Sequence, residues 1–212
     1  MNREKMIFFV GATGKKTFVS TMKRLGIGRL FSKNVLTTYE NEIWGLDNDA
    51  YSAWKNNRVW DASLYMKNVE KCLKKMSSPY LSVIPDKPAQ PDSLEFSLAW
   101  LDSGDLPGNW NWYLCLQDHM SYGDVECALD DYPQIKGLFL GGTDGFKSVW
   151  AEDFCKLAHQ EKRKFHYGRT SSITKIVHAN NIGCDSCDSS FFLWTQARMD
   201  SLFSLIENNY QT

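Results

Sequence analysis

The stretch Gly137-Leu-Phe-Leu-Gly-Gly-Thr143, the amphipathic run 147–161, Phe165-His-Tyr-Gly-Arg169, the run 173–180 and Gly183-Cys-Asp-Ser-Cys-Asp188 repeat one unit. The unit is a short apolar run, a polar or glycine-rich turn, and a longer stretch with helical spacing. Short apolar runs bounded by turn residues read as strands, and alternation with helices makes those strands parallel.

Working outward, the same unit recurs upstream. Met6–Val10 precedes a helix at Lys16–Leu25, and Gly28–Phe31 is a short strand. Ile43–Leu46 comes before a helix at Ala62–Met76, where Leu64, Val69, Cys72, Leu73 and Met76 share a face. Tyr80–Ile84 precedes a helix from Asp92, its expected N-cap, to Leu101. Trp112–Leu116 precedes a helix at Tyr122–Asp130, and the chain ends in a helix at Trp194–Glu207. Eight strands, nearly all followed by a helix, predict one compact (β/α)8 TIM barrel over residues 1–212. A doubly wound open sheet is the alternative, and either topology puts chemistry at the C-terminal strand ends.

Composition narrows the class. With 43% hydrophobic and 23% charged residues, the chain is no disordered tail, collagen or coiled coil. Lys+Arg 24 against Asp+Glu 25 leaves no global charge for a polyanion, so nucleic acid must be met by local patches. Six cysteines, at 72, 115, 127, 155, 184 and 187, are too sparse for a disulfide scaffold and read as reduced thiols of a cytoplasmic protein. No apolar run reaches the roughly 18–20 residues that span a bilayer. Arg3–Lys5 with Met6–Val10 mimics a signal peptide, but the run is short and lacks a cleavage site, so a buried first strand is expected.

The strand ends are unusually polar: Asp47, Asp86, Gln117, Gly141-Gly142-Thr143, Gly168-Arg169 and Asp188. Carboxylates, an amide and two glycine openings on one rim suit a polar ligand. Alternation along the last strand puts Cys184, Ser186 and Asp188 on one face, and Asp185 and Cys187 on the other. The competing reading is that Asp188 and Ser189-Ser190 merely cap the last helix.

Other patterns carry less. Gly11-Ala-Thr-Gly-Lys-Lys-Thr17 looks like a phosphate loop, but Phe9 stands at the first glycine and Lys16 at the Ser/Thr place. Cys184-x-x-Cys187 has no second pair nearby, and its thiols are expected on opposite strand faces. Among the histidines, His159 and His178 read as helix-surface residues, and His119 and His166 lie near strand ends, where they can support the site residues from behind. No Cys/His set closes a tetrahedral site, so neither metal nor cofactor is expected. The run Gln160-Glu-Lys-Arg-Lys164 reads as a solvated helix end; with Lys15, Lys16 and Arg169 it offers phosphate contacts.

At these residues the chain resembles the tRNA-guanine transglycosylase superfamily, whose (β/α)8 barrels exchange guanine for a 7-deazaguanine. Gly183-Cys-Asp-Ser-Cys-Asp188 is similar to the family's G-x-D-x-F-D, whose last aspartate is the nucleophile. Asp47-Asn-Asp-Ala-Tyr51 is similar to D-S-G-G-[YF], where the aspartate moves a proton and the aromatic covers the base. The resemblance places Asp86 at the F-D-E aspartate that binds the guanine edge, and Gln117 at the V-Q-G glutamine. Gly141-Gly142-Thr143 falls at the G-G-L turn, and Tyr167-Gly168 at the M-G pair that sandwiches the base. The order holds from Val10-Gly11 to Asp188.

Four features depart from the family. The zinc module of the tRNA enzymes is missing after Asp188. Lys87 replaces the glutamate of F-D-E, and Asp49-Ala50 replaces the G-G. Ser189-Ser190-Phe191 stands where the tRNA enzymes have P-T-R. The shortened form looks like phage and bacterial transglycosylases that place 7-deazaguanines in DNA. The resemblance thus implies a DNA partner, a free 7-deazaguanine base as co-substrate, and a cytoplasmic setting in a bacterial or phage-infected cell. An RNA-directed enzyme and a non-catalytic nucleobase-binding barrel are the alternatives.

The chemistry fits these residue types. Exchange at an N-glycosidic bond uses a carboxylate on C1′, here Asp188, with Asp47 for proton transfer. Asp86 is expected to accept from the guanine N1–H and amine, Gln117 and the Gly142 N–H to donate to O6, and Tyr51 and Tyr167 to sandwich the ring. A base in such a pocket must be flipped out or single-stranded.

Overall fold

The computed structural model describes residues 5–36 and 38–210. Eight parallel strands close into a barrel in sequence order, β1 against both β2 and β8. They are β1 Ile7–Gly11, β2 Gly28–Phe31, β3 Trp44–Leu46, β4 Leu81–Val83, β5 Trp112–Leu116, β6 Ile135–Leu140, β7 Lys164–Tyr167 and β8 Ser186–Ser189. Around them run α1 Lys16–Leu25, α2 Ala50–Lys55, α3 Ala62–Lys75, α4 Ser93–Asp102, α5 Tyr122–Asp131, α6 Asp144–Gln160, α7 Ile173–Ile182 and α8 Gln196–Glu207. A single 3-10 turn, Phe191–Trp194, bridges β8 and α8. The closed barrel excludes the open-sheet alternative. Among the described residues, no helix is long and apolar enough to cross a membrane.

The barrel is small, and its interior is filled by large rings. Phe9, Leu30, Leu81, Val83, Tyr113, Cys115 and Phe139 make the inner cluster. A Cβ on Gly28 would come within 2.5 Å of the Phe9 ring, and one on Gly137 within 2.4 Å of the Tyr113 ring. Glycine at these two places is what lets the aromatic rings lie across the interior. The larger core lies outside, between strands and helices, and includes Phe8, Trp44, Trp112 and Phe165.

The helices follow ordinary rules. Thr143 caps α6 by accepting from the Phe146 N–H at 3.2 Å, and the helix buries Phe146, Ala151, Phe154, Cys155 and Ala158 at turn spacing. Several local expectations are corrected. On α3 the buried face carries Tyr65, Val69 and Cys72, while Leu64 and Leu73 lie outside and exposed. Asp92 holds the N-cap place of α4, but its carboxylate pairs with Lys87 at 2.5 Å instead of capping. The 47–51 turn continues into the short α2, which the sequence pattern did not mark.

β8 begins at Ser186, so strand alternation does not reach back to residue 184. Cys184 therefore joins Cys187 in the outer core instead of facing with Ser186. All six cysteines are free, and Cys127 is exposed.

Candidate active site

The C-terminal strand ends open into a cavity of about 320 Å³. Asp47 after β3, Asp86 after β4, Gln117 after β5, Gly141 after β6, Arg169 after β7 and Asp188 on β8 all line it, with Tyr51 from α2. Of the rim expected from the strand ends, these residues form one site, while Gly142, Thr143 and Gly168 do not line it.

Asp188 points inward as strand parity requires, and it does not cap α8, whose cap is Thr195. Its Oδ1 is held twice: His166 Nε2 lies 3.1 Å away, and the Arg169 backbone N–H donates at 2.9 Å. Among the described residues no donor reaches Oδ2, so one oxygen is fixed and the other serves the cavity. A carboxylate only accepts, so Nε2 carries the ring proton toward Asp188. In the neutral ring Nδ1 then accepts from the Ser186 hydroxyl, 2.8 Å away. His166 is fully buried, with its ring stacked on Phe139 at 4.5 Å between centroids. Asp185 turns the other way, to the opposite end of the barrel. There it binds Lys164 and His159, each at 2.9 Å.

Asp86 is 5% exposed and takes one amide on each oxygen. Asn48 Nδ2 donates to Oδ1 at 2.7 Å, and Gln117 Nε2 to Oδ2 at 2.5 Å. Burial pushes its carboxyl above the usual range, opposed by those bonds and by the Arg169 charge. The second Gln117 proton faces Cys115 Sγ at 3.4 Å. Gln117 therefore orients Asp86 instead of donating to a ligand, a correction to its expected role. Asn48 also donates to the Ile84 carbonyl at 2.8 Å, which ties β3 to β4 beneath the site.

Asp47 sits among like charges. Burial, then the charges of Asp188, Asp86 and Asp49, push its carboxyl up to about 7, against a bond from the Asn48 N–H. Two neighbouring carboxylates with different environments are the arrangement that divides acid–base from nucleophilic work. Asp49 has φ +61, the left-handed backbone that glycine favours and aspartate tolerates, so the turn survives without glycine.

Tyr167 is corrected outright. Its neighbour His166 takes the inward face, so Tyr167 turns out toward α7, edge-on to His178 at 6.2 Å. The cover over the cavity is instead Arg169, whose guanidinium lies 3.8 Å from the Tyr51 ring centroid and donates to the Gly142 carbonyl. Gly141 must lack a side chain, since a Cβ would meet the Leu116 carbonyl at 2.7 Å. Gly142 and Thr143 line an adjoining pocket of about 250 Å³ with Trp54, and the Gly142 N–H is not part of the main cavity lining. The Thr143 side chain caps α6 and bonds Asp118. Gly168 packs against Phe139 and gives its carbonyl to Lys147.

The expected phosphate contacts divide. Lys15, on the loop after β1, and Lys16, at the start of α1, are exposed at the mouth. Arg169 belongs to the cavity itself. The 160–164 run leads into the start of β7, at the far end of the barrel, and cannot serve the mouth. Among the described residues, no group of three or more His, Cys, Asp or Glu is placed to hold a metal ion.

Sequence reasoning missed Asn48 and Lys147; His166, expected only as a supporting residue near a strand end, proves to be the side chain that holds Asp188. Parity from Asp188 through the β7–β8 pairing His166↔Ser186 was the available signal for His166.

No family model and no curated protein matches the chain. Among solved structures, a mandelate oxidase variant with a C4a-OH-FMN adduct is similar over 96% of this chain and 72% of that one, with TM-score 0.55 and 11% identity. RipC from Yersinia pestis covers 98% and 95%, with TM-score 0.49 and 10% identity. At such identity the likeness to the oxidase is one of barrel architecture alone.

Proposed function

We propose that this protein exchanges guanine in DNA for a 7-deazaguanine base through a covalent Asp188–sugar intermediate. The observation that carries the reading is the Asp188 carboxylate, with Oδ1 fixed by His166 and Arg169 and Oδ2 left to the cavity, beside an Asp47 raised to about 7. Oδ2 attacks C1′ as the C1′–N9 bond breaks, and protonated Asp47 gives its proton to the departing guanine. The incoming base then loses its N9 proton to Asp47 and displaces Asp188, so two inversions retain configuration. A proton carrier with a pKa near the working pH suits both directions.

Asp86 reads the base. Its oxygens each take one amide and keep a lone pair for the guanine N1–H and amine. The ring lies against the Tyr51–Arg169 stack instead of between two tyrosines. The glycine-like backbone of Asp49 supports the resemblance at one of the motif positions where composition departs from it.

The test is incubation with guanine-radiolabelled DNA, and separately tRNA, with candidate 7-deazaguanines. Release of labelled guanine from DNA, with a denaturation-resistant adduct that a 7-deazaguanine discharges, is expected. No release from either nucleic acid would refute the reading, and release from tRNA alone would move it to RNA.

A further inference from the structure

The chain has eight tryptophans, and six of them are buried or half-buried. The two exposed ones, Trp54 at 47% and Trp194 at 70%, both belong to segments at the cavity mouth. Trp54 lies on α2, whose Tyr51, Ser52 and Lys55 line the cavity, and its own side chain walls the adjoining pocket. Trp194 ends the 3-10 turn that follows Ser190, a cavity residue from the other side. Tryptophan is enriched at binding interfaces, where its ring offers a large apolar face with a polar edge.

Cations accompany both rings. Arg198 lies 3.9 Å from the Phe191 ring centroid and 5.3 Å from that of Trp194. Lys15 reaches toward Gln196 at 3.4 Å, beside the same turn, with Lys16 next to it. Lys55 stands at the cavity lip near Trp54. Open aromatic faces interleaved with cations are the recognition chemistry of unpaired nucleic acid, where phosphates meet the charges and unstacked bases meet the rings. A duplex keeps its bases stacked on one another and would leave both indoles in water.

We infer that the mouth binds an unpaired single strand, with Trp54 and Trp194 as stacking platforms for bases flanking the one in the cavity. This rests on the nucleic-acid reading above and chooses the strand form it takes.

The test is fluorescence anisotropy with a labelled single-stranded DNA carrying one central guanine, and with its blunt duplex. The single strand should bind at least about tenfold tighter than the duplex. Trp54→Ala and Trp194→Ala should each weaken strand binding by about 5- to 150-fold, the range for losing one base–aromatic stack. Trp→Phe at either place should retain most of it, and affinity for free guanine should stay at the parent value. Equal binding of duplex and strand, or parent-like strand binding by both alanine variants, would overturn the inference. None of these readings needs turnover. A protein that binds strands this way yet releases no guanine loses the exchange reading and keeps this one; exchange in duplex DNA with unchanged Trp variants does the reverse.

Discussion

Lys147 and Asp188 hold opposite ends of one peptide group. The Lys147 ammonium donates to the Gly168 carbonyl, and the N–H of the same peptide, on Arg169, donates to Asp188 Oδ1 at 2.9 Å. The peptide is planar, so fixing the direction of the carbonyl fixes that of the N–H. Lys147 is 2% exposed on α6, and burial, with the nearby Arg169 charge, pushes it down to about 7.

Lys147→Met keeps the length of the side chain and removes the donor. The expected result is a fall in exchange rate on the order of tenfold, because the N–H on Asp188 is no longer held. The KM for guanine-containing substrate should stay within about twofold, since Lys147 does not line the cavity. Steady-state kinetics separates the two. A rise in KM with unchanged kcat would place Lys147 in binding instead.

The His166 ring is the second anchor of Asp188, and it stands on Ser186. His166→Leu leaves the buried Ser186 hydroxyl unpaired and frees half of the Asp188 clamp. It should cost about 1–3 kcal/mol of stability and lower exchange. Ser186→Ala should lower exchange less, because Nε2 stays opposite Asp188 and only the partner that fixes its tautomer is lost. Denaturant unfolding together with exchange assays checks both.

Strand-end chemistry was legible because a parallel barrel carries its polar residues there, and Asp47, Asp86, Gln117 and Asp188 needed only the right strand count. What failed depended on parity and on loops. Tyr167 was placed inward from a motif match, although the His166↔Ser186 pairing puts its neighbour there. Cys184 falls outside the alternation because β8 begins at Ser186, three residues after the start of the Gly183–Cys187 pattern. Gln117 was read as a base donor because spacing cannot show that Asp86 and Cys115 already take its protons. Lys147 looks like any polar residue in the first turn of a helix; only the tertiary packing of α6 over the Gly168 strap buries it.

Asp86→Asn replaces an acceptor with a donor facing the Asn48 and Gln117 amides. Guanine affinity should fall about 5- to 150-fold, the equivalent of one unpaired buried polar group. Asp188 is untouched, so calorimetry of free guanine isolates the effect from the chemistry. Parent-like affinity would remove Asp86 as the reader.

Asp47 makes the fold sensitive to pH. Its folded pKa of about 7 stands above the ordinary 3.8, so the folded state holds a proton that the unfolded chain has lost. Stability is therefore drained as pH rises from about 4 through 7, the reverse of a salt-bridged carboxylate. Asp47→Asn should raise the melting temperature by several degrees at pH 8 and change it little at pH 4, while exchange is lost at both. Equal shifts at the two pH values would mean that Asp47 ionises as an ordinary surface acid.

The comparison of Asp188→Asn with Asp185→Asn tests the site and the strand register together. The first keeps size and polarity but removes the charge that attacks C1′. It should abolish exchange and adduct formation while guanine still binds and the protein stays folded. Asp185 faces the far end of the barrel. Burial there acts to raise its carboxyl, but bonds from His159, Lys164 and the Phe165 N–H prevail and hold it below the usual range. Its contribution to stability is present above the ordinary carboxylate pKa and is lost as pH falls through the lower folded value. Asp185→Asn should therefore lower the melting temperature at neutral pH, lose that difference in strong acid, and exchange guanine at close to the parent rate. Exchange retained by Asp188→Asn and lost by Asp185→Asn would show that the wrong end of the barrel has been assigned the chemistry.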